Sequence, residues 1–502
     1  MYLNMIARII SATTVGYHGQ IIEVECDSSK GLPALQIVGL GNKAIDEAKE
    51  RVRSAIKNSH LDFPNQKVTI NLAPANIPKD GAHFDLPIAL AITSINGQLR
   101  SEETDDKVFA GELSLDGSLR PIRGAIHLAE TAKQAGFTEI YLPKNNARSA
   151  ALIKDINVYG VNNLAELFLH LKGEKKLKPE VYSEQPDEKH PHSSITIDDI
   201  HGQDQAKRAL IIAAAGHHNV LLTGPPGTGK TMLARALTHL LPPLSADEHI
   251  DVLKIHSLVD DTIEHTKRPF RSPHHTSSHI SLVGGGTRPL PGEMSLAHYG
   301  VLFLDELPEY PRSSLEAMRQ PLEDREVSIS RAHSKVTYPA NFMLVATQNP
   351  CPCGFLGDEK KECTCSQQQI LGYQKKISGP LLDRIDLIVN VGRVSNSKLL
   401  ANLPKKLLAD DAKKKIVTAR QVQSIRYGDK SVSNAQLNSK EIRQYFTVST
   451  GVKKVLEMAA NNLELSTRSY FKILKVARTI ADLEQEPDIT VAHITEALQY
   501  RT

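Results

Sequence analysis

The sequence predicts an α/β protein in three parts: an α/β N-terminal domain, a second α/β domain carrying inserts, and an all-helical C-terminal domain. Three observations predict it. The first 170 residues mix short β-rich runs (IIEVEC, KVTINL, EIYLP) with helical spacing (KAIDEAKERVRSAIKNS, AIHLAETAKQAGF). Gly173–Ser194, GEKKLKPEVYSEQPDEKHPHSS, is polar, charged and proline-bearing, with almost no apolar residues, and reads as a linker. Beyond Arg393, segments such as EIRQYF, GVKKVLEMAANNLEL, TRSYFKILKVARTIADLEQ and TVAHITEALQ keep helical spacing with almost no strand signal, preceded by a lysine-rich spacer near Lys405–Lys415. The expected parts are 1–172, a linker 173–194, 195–395 and 396–502.

At 502 residues the chain has room for two to four cores. A formal charge of +3 is close to neutral, so any affinity for nucleic acid must come from a local basic surface. The N-terminus lacks a charged region leading into an apolar core, so no signal peptide is expected. The most apolar stretches, such as LPIALAI at 86–92, are too short to span a bilayer. A cytoplasmic protein with reduced thiols is the expectation.

In the second part, NVLLTGPPGTGKTMLARAL at 219–237 runs from an apolar strand through a glycine-rich loop into a helix, the context a phosphate-binding P-loop needs. Gly224, Pro225, Pro226, Gly227, Thr228 and Gly229 form a loop whose N–H groups turn inward on phosphate oxygens, aided by the positive end of the following helix. Lys230 reaches the terminal phosphates of ATP and Thr231 is placed to hold Mg²⁺. The strand GVLFLDELPE ends in Asp305, expected in the Mg²⁺ shell, and Glu306, expected to orient the attacking water. The next apolar strand, FMLVAT, leads to Asn349, placed to position that water. Arg384 in LLDRIDL and Arg468 in STRSYFKIL are candidates for neutralising transition-state charge; a surface salt bridge is the ordinary alternative.

The 75 positions between Lys230 and Asp305 exceed what a bare strand–helix alternation needs. Within that excess, 265–292 contains no Asp or Glu but carries Lys267, Arg268, Arg271, Arg288 and four histidines, including His274 and His275. Such a stretch suits contact with a phosphate backbone; metal ligation by the histidines is a weaker alternative, with no cysteine or carboxylate nearby. EVSISRAHSKVTYPANF at 326–342 alternates like a hairpin with a basic, polar turn from Arg331 to Lys335. No base-reading motif is visible, so any DNA contact is expected to be independent of sequence.

Four of the five cysteines fall within fifteen residues: Cys351-x-Cys353 and Cys363-x-Cys365. Adjacent-but-one cysteines rarely pair with each other, and two short thiolate knuckles suit a structural Zn²⁺ site, with an iron–sulfur cluster as a minor alternative. Cys26, far upstream, reads as a strand-core residue.

Taken together, DIHGQDQAKRALIIAAAGHHNVLLTGPPGTGKT, RSPHHTSSHISLVGGG, GVLFLDELPE, ATQNPCPCG and LLDRIDL resemble the YifB/ComM family of AAA+ ATPases, relatives of the magnesium-chelatase motor subunit, over essentially the whole chain. The resemblance implies an AAA+ domain with a helical lid, ring assembly as a homo-oligomer, usually a hexamer, and helicase action on branched, duplex or single-stranded DNA. It also implies branch migration during natural transformation and homologous recombination, alongside recombination proteins and with no membrane role. It places Asn349 as sensor 1, Arg384 as arginine finger with Arg319 as its rival, and Arg468 as sensor 2. It sets Gly202 and Gln203 of HGQ near the adenine, and puts 265–292 and the 326–342 hairpin in a central pore.

NLAPANIPKDGAHFDLPIALAI and GELSLDGSLRPIRGAIHLAE resemble the Lon protease domain and its ribosomal-S5-like fold. The resemblance implies a catalytic Ser at the position of His83 and a Lys at that of Ile126. Without a hydroxyl and an amine the dyad cannot run, and the remaining Lys79 and Asp80 do not replace it. A scaffold or DNA-handling role is expected instead. Two competing activities remain: a magnesium-chelatase-type motor subunit acting on a partner protein, and an ATP-dependent protease.

Overall fold

The computed structural model describes residues 6–501 except 39–42, 78, 80, 183–194, 261–266, 287–288, 332–333, 359, 395–407 and 430–431. Asp80, His265, Arg288, most of the expected linker and the expected boundary at 395/396 therefore lie outside the described residues. The chain divides into two compact units.

The first unit comprises 1–188, 246–266 and 330–338. Its sheet uses β1 (Ala7–Val15), β2 (His18–Ser29), β3 (Ala34–Val38), β4 (Lys67–Ala73), β5 (Lys107–Phe109), β6 (Glu139–Pro143) and β7 (Asn157–Val161) in the order β3-β4-β2-β1-β5-β6-β7. The β1–β2 and β2–β4 pairs are antiparallel; the others are parallel. The alternating KVTINLA of β4 buries Val68, Ile70 and Leu72, the period-2 pattern of a strand with one face on a core. Cys26 is buried in β2 as expected, and burial pushes its thiol up to about 12.

Two excursions from the ATPase sequence pack into this unit. Helix Ala246–Ser257 lies against helix Ala125–Gln134. There His127 Nε2 meets the Lys254 carbonyl (2.9 Å), Lys254 pairs with Glu130 (2.9 Å), and the Tyr17 hydroxyl donates to Asp251 (2.8 Å). The hairpin strands Glu326–Arg331 and Ser334–Pro339 form a two-stranded sheet, and the stretch 330–338 groups with this unit, with Val336 against Gly16. The start of the expected linker is also tied down: the Glu180 N–H donates to the Val158 carbonyl (2.7 Å), and Glu180 pairs with Lys144.

Of the positions of the Lon dyad, Ile126 is buried and His83 is half-buried. Burial lowers His83 to about 4, leaving a neutral imidazole. Lys79 is fully buried with its ammonium on the Pro74 carbonyl.

The second unit comprises 189–245, 267–329 and 339–502. Its sheet is wholly parallel: β8 (Val220–Thr223), β9 (Phe270–Arg271), β10 (Val301–Leu304), β11 (Met343–Gln348) and β12 (Leu387–Asn390), in the order β9-β10-β11-β8-β12. Strands β8, β10 and β11 are continuous apolar runs, as strands covered on both faces must be. Because β11 separates the P-loop strand from the strand ending in acids, its last residues sit between both.

Among the described residues five α-helices follow: Leu408–Tyr427, Ser439–Tyr445, Thr450–Asn462, Thr467–Leu483 and Val491–Leu498. The first corrects the expected lysine-rich spacer. Ala409, Ala412, Ile416 and Ala419 recur at helical spacing and are buried, but alanines among lysines and aspartates give a faint apolar signal.

Candidate nucleotide site and cysteine clip

Parallel strands bring their carboxyl ends to one edge, where an open α/β sheet binds ligands. A cleft of about 370 Å³ lies there, lined by Pro226 to Met232, Asp305, Glu306, Thr347 and Asn349. The loop's glycines are required by geometry. Gly227 and Gly229 have φ of +77° and +87°, and a Cβ on Gly224 would stand 2.2 Å from the Val391 carbonyl oxygen. Thr228 closes the loop by donating to the Pro225 carbonyl (3.0 Å).

Lys230 Nζ, half-buried, donates to the carbonyls of Gly224 (2.6 Å) and Pro225 (2.9 Å) and to Asn349 Oδ1 (3.1 Å). Burial lowers its pKa against the pull of Asp305 and Glu306. The Thr231 hydroxyl faces Asp305 Oδ2 at 3.4 Å, an all-oxygen pair of the kind Mg²⁺ takes. All the P-loop, acid and sensor-1 residues expected from the sequence are thus brought together.

Two residues lining this cleft, Met232 and Thr347, are not singled out by the sequence motifs, and Thr347 is the one that touches the acids. Thr347, fully buried at the end of β11, donates to Asp305 Oδ1 (2.5 Å) and accepts the Glu306 N–H (2.9 Å). It thereby orients one acid and fixes the backbone of the other, whose φ of 54° is left-handed and unusual outside glycine. The available signal was a hydroxyl in an otherwise apolar buried strand.

The arginines form a separate cluster. Arg384 donates to the carbonyls of Arg319 (2.8 Å) and Pro380 (2.5 Å) and pairs with Glu323 (2.6 Å), and Arg468 pairs with the same Glu323 carboxylate. Arg319 pairs with Glu316 (2.7 Å). Lys472, one turn on from Arg468, donates to the Ile385 carbonyl (2.9 Å), and Asn219 donates to that of Arg384 (2.8 Å). None of these arginines lines the cleft of its own chain. Glu323, their shared carboxylate, was not singled out from sequence.

Gly202 and Gln203 also stand outside the cleft lining, against the segment after β12: Gln203 Nε2 donates to the Gly392 carbonyl (2.6 Å). In the cationic element, two guanidiniums are committed internally, contrary to the expectation of free phosphate contacts. Arg271 makes a two-pronged ion pair with Glu293 (2.6 and 2.7 Å), and Arg268 donates to the carbonyls of Pro242 (2.6 Å) and Tyr299 (2.7 Å). Glu293 lies one residue beyond the carboxylate-free window. Lys267, His274 and Lys335 are exposed, and His274 lies tilted against His275 with centroids 4.1 Å apart. Of Arg331 only the backbone is described.

The four cysteine sulfurs lie within 4.8 Å of one another. The Cys351–Cys353 separation is 3.4 Å, and Cys363 lies 3.6 Å from both. A tetrahedron of Zn–S bonds of about 2.3 Å has edges of roughly 3.8 Å, so the sulfurs already approximate it. All five cysteines of the chain are free thiols, and the Phe355 N–H helps draw Cys353 down to about 6. The set fits a thiophilic divalent ion.

Residues 196–399 match the family described as magnesium chelatase, subunit ChlI; 24–146 match subunit ChlI of Mg-chelatase; 409–501 match its C-terminal part. Competence protein ComM of Haemophilus influenzae is 43% identical over 502 residues, covering 99% of this chain and 97% of that protein. The chain belongs to the YifB/ComM family of magnesium-chelatase-like AAA+ ATPases. YifB of Salmonella typhimurium, another member, is 41% identical over 499 residues, 99% of this chain and 97% of that protein. The Lon likeness is partial: Lon protease of Mycolicibacterium smegmatis is 27% identical over 137 residues, 26% of this chain and 17% of that protein. The arrangement thus joins a YifB/ComM-type nucleotide cleft to a four-thiol clip and an arginine cluster set apart from it.

Proposed function

We propose that this protein is an ATP-driven, ring-forming motor on DNA, a helicase or branch-migration factor serving natural transformation and homologous recombination. The observation that carries the reading is the convergence of Lys230, Thr231, Asp305, Glu306 and Asn349 on one cleft. Full-length similarity to a competence protein supports DNA as the substrate. In this reading the P-loop amides and Lys230 hold the phosphates. Glu306 accepts the proton of the attacking water, and Asn349 positions that water beside the γ-phosphate. Thr231 and Asp305 would hold Mg²⁺, which would supply neutralisation of phosphate charge there. Thr347 keeps both acids in register.

Arg384, with Arg319 as its rival, lies outside the cleft of its own chain, which supports an arginine finger serving a neighbour's nucleotide in a homo-oligomer, a hexamer by family likeness; Arg468 is proposed as sensor 2. Lys267, His274, His275, Arg331 and Lys335 are the proposed DNA contacts, while Arg268 and Arg271 shape the element that presents them. Zn²⁺ is proposed in the cysteine clip, and the 1–172 domain is read as non-proteolytic. No helix among the described residues is long and apolar enough to cross a membrane, consistent with a proposed cytoplasmic site of action.

A second reading, a chelatase-type motor working on a partner protein, is favoured by the match of 196–399 to the magnesium-chelatase family. ATPase rates of the purified protein without DNA and with duplex, single-stranded or branched DNA separate the two. The DNA motor is stimulated, most by the branched substrate, and the stimulation weakens with added salt as counterion release predicts. Indifference to every DNA at low salt rejects it in favour of the chelatase-type reading.

A further inference from the structure

The cysteine clip is tied to the nucleotide cleft at Asn349 and at Pro226, and its loop is fastened separately beside the strand Leu387–Asn390. Cys351 is fully buried and stands two residues after Asn349, whose side chain holds Lys230. Gly354, closing the first knuckle with φ +82°, packs directly on the P-loop: a Cβ there would stand 2.8 Å from Pro226 Cδ. Its N–H donates to the Cys351 carbonyl (2.9 Å), so the close approach and the first thiol belong to one turn.

The second knuckle leads back toward the same residue. Cys365 runs straight into helix Gln367–Gln374, capped by the Ser366 side chain, and the buried Tyr373 phenol of that helix faces the Asn349 backbone. The loop between the knuckles is fastened on a third side. Asp358, its side chain fully buried, pairs with Arg393 at 2.6 Å, beside Gly392, whose carbonyl holds Gln203.

We propose that an ion bound by the four thiols and a nucleotide bound in the cleft stabilise each other, with Gly354 against Pro226 and the Asn349 backbone as the connecting contacts. This rests on the reading that Zn²⁺ occupies the clip. With the thiols cross-linked, both knuckles hold Asn349 and Pro226 in one arrangement; without the cross-link, a loop of fifteen residues from Cys351 to Cys365 is released beside the P-loop. Coupling between two sites is reciprocal: nucleotide must raise the affinity for zinc by the same factor by which zinc raises the affinity for nucleotide.

The test uses the full-length protein. Zinc content is measured first, then zinc affinity by chelator competition with and without ADP, and the affinity for a fluorescent ADP with and without zinc. Mg²⁺ is held constant. The expected result is one zinc per chain and an equal change in both directions of roughly 5–150-fold, the usual range for coupled sites. Gly354→Ala keeps all four thiols; it should retain zinc but lose most of the coupling. Asp358→Asn, which loosens the loop without crowding Pro226, should weaken the coupling less. Zinc bound at full stoichiometry with affinities indifferent to ADP overturns the coupling and leaves the clip standing. A protein that binds no zinc with its four cysteines reduced overturns the clip reading and the coupling with it.

Discussion

Two segments of the second unit that the sequence marks for phosphate contrast with each other. The loop after β8 is shaped by its glycines, and of the residues the sequence marks there Pro226 to Thr231 line the cleft. The cationic element that contains β9 was marked by side-chain charge, and its two described arginines turn inward, Arg271 at the end of β9 onto Glu293 and Arg268 just before it onto carbonyls. A backbone site declares itself because glycine spacing dictates the loop's shape. Charge does not, because the partner of a guanidinium need not lie in the same window of sequence. Carboxylate-free sequence is therefore weaker evidence for a phosphate surface than glycine spacing is for a phosphate loop.

The sharpest way to break this contrast is at the acids of the cleft. Glu306→Gln removes the proton acceptor while keeping shape, so ATP turnover should fall by about 10²–10⁴ with nucleotide binding retained. Binding by fluorescent ADP and turnover by phosphate release, measured on the same preparation, check it. Near-normal turnover would show that Glu306 is not the base. Thr347→Val comes next. It leaves Asp305 and the Glu306 amide without their shared hydroxyl, a loss of about 1–3 kcal/mol, or roughly 5–150-fold in turnover. Thr347→Ser should restore most of it, which a role in packing alone would not.

On the charge-marked segments, the element around β9 and the 326–342 hairpin, the effects are smaller and of another kind. Arg271→Ala should lower thermal stability, by about 1–3 kcal/mol, because it strands the half-buried Glu293 carboxylate. It should leave the salt dependence of DNA binding unchanged. Lys335→Ala should do the reverse, reducing the salt slope by about 1 with little change in melting temperature. Equal slopes for wild type and Lys335→Ala would remove Lys335 from the proposed DNA surface.

The same distinction explains how much was legible in advance. Strands such as Lys67–Ala73 and Glu139–Pro143 fall where alternation and β-branched residues put them, and the lid helices fall where apolar residues recur at three and four. The cleft was legible because its residues are consecutive at three strand ends. Thr347 was not, because its role depends on which strand lies beside it: the register sets Ala346 against Leu304 and hence Thr347 beside Asp305. Glu323 was hidden for a like reason, since Arg384 and Arg468 meet it from 61 and 145 positions away. Helix Leu408–Tyr427 was missed because alanine carries burial without looking apolar. The grouping of 246–266 and 330–338 with the N-terminal unit depends on long-range packing that no window contains.

That last grouping makes the smallest of the predicted effects measurable. His127 sits where helix Ala246–Ser257 meets helix Ala125–Gln134. Burial lowers its pKa from about 6.5 to about 4, despite the hydrogen bond to the Lys254 carbonyl. A group depressed on folding is neutral in the folded chain and charged in the unfolded one between those two values. Its contribution is therefore fully present above pH 6.5 and is lost as pH falls toward 4. His83, also drawn down to about 4, acts in the same direction within the same unit. Asp85, raised by burial to about 6 despite its bond to Arg51, acts the other way: protonated in the folded chain from pH 3.8 to 6, it favours the folded state as pH falls. The melting temperature between pH 7 and 5 thus reports a difference, and His127→Gln tips it, since an amide can still donate to the Lys254 carbonyl but does not titrate. The variant should lose less stability on acidification than the wild type; an identical acid slope would mean that His127 is not held neutral at this junction.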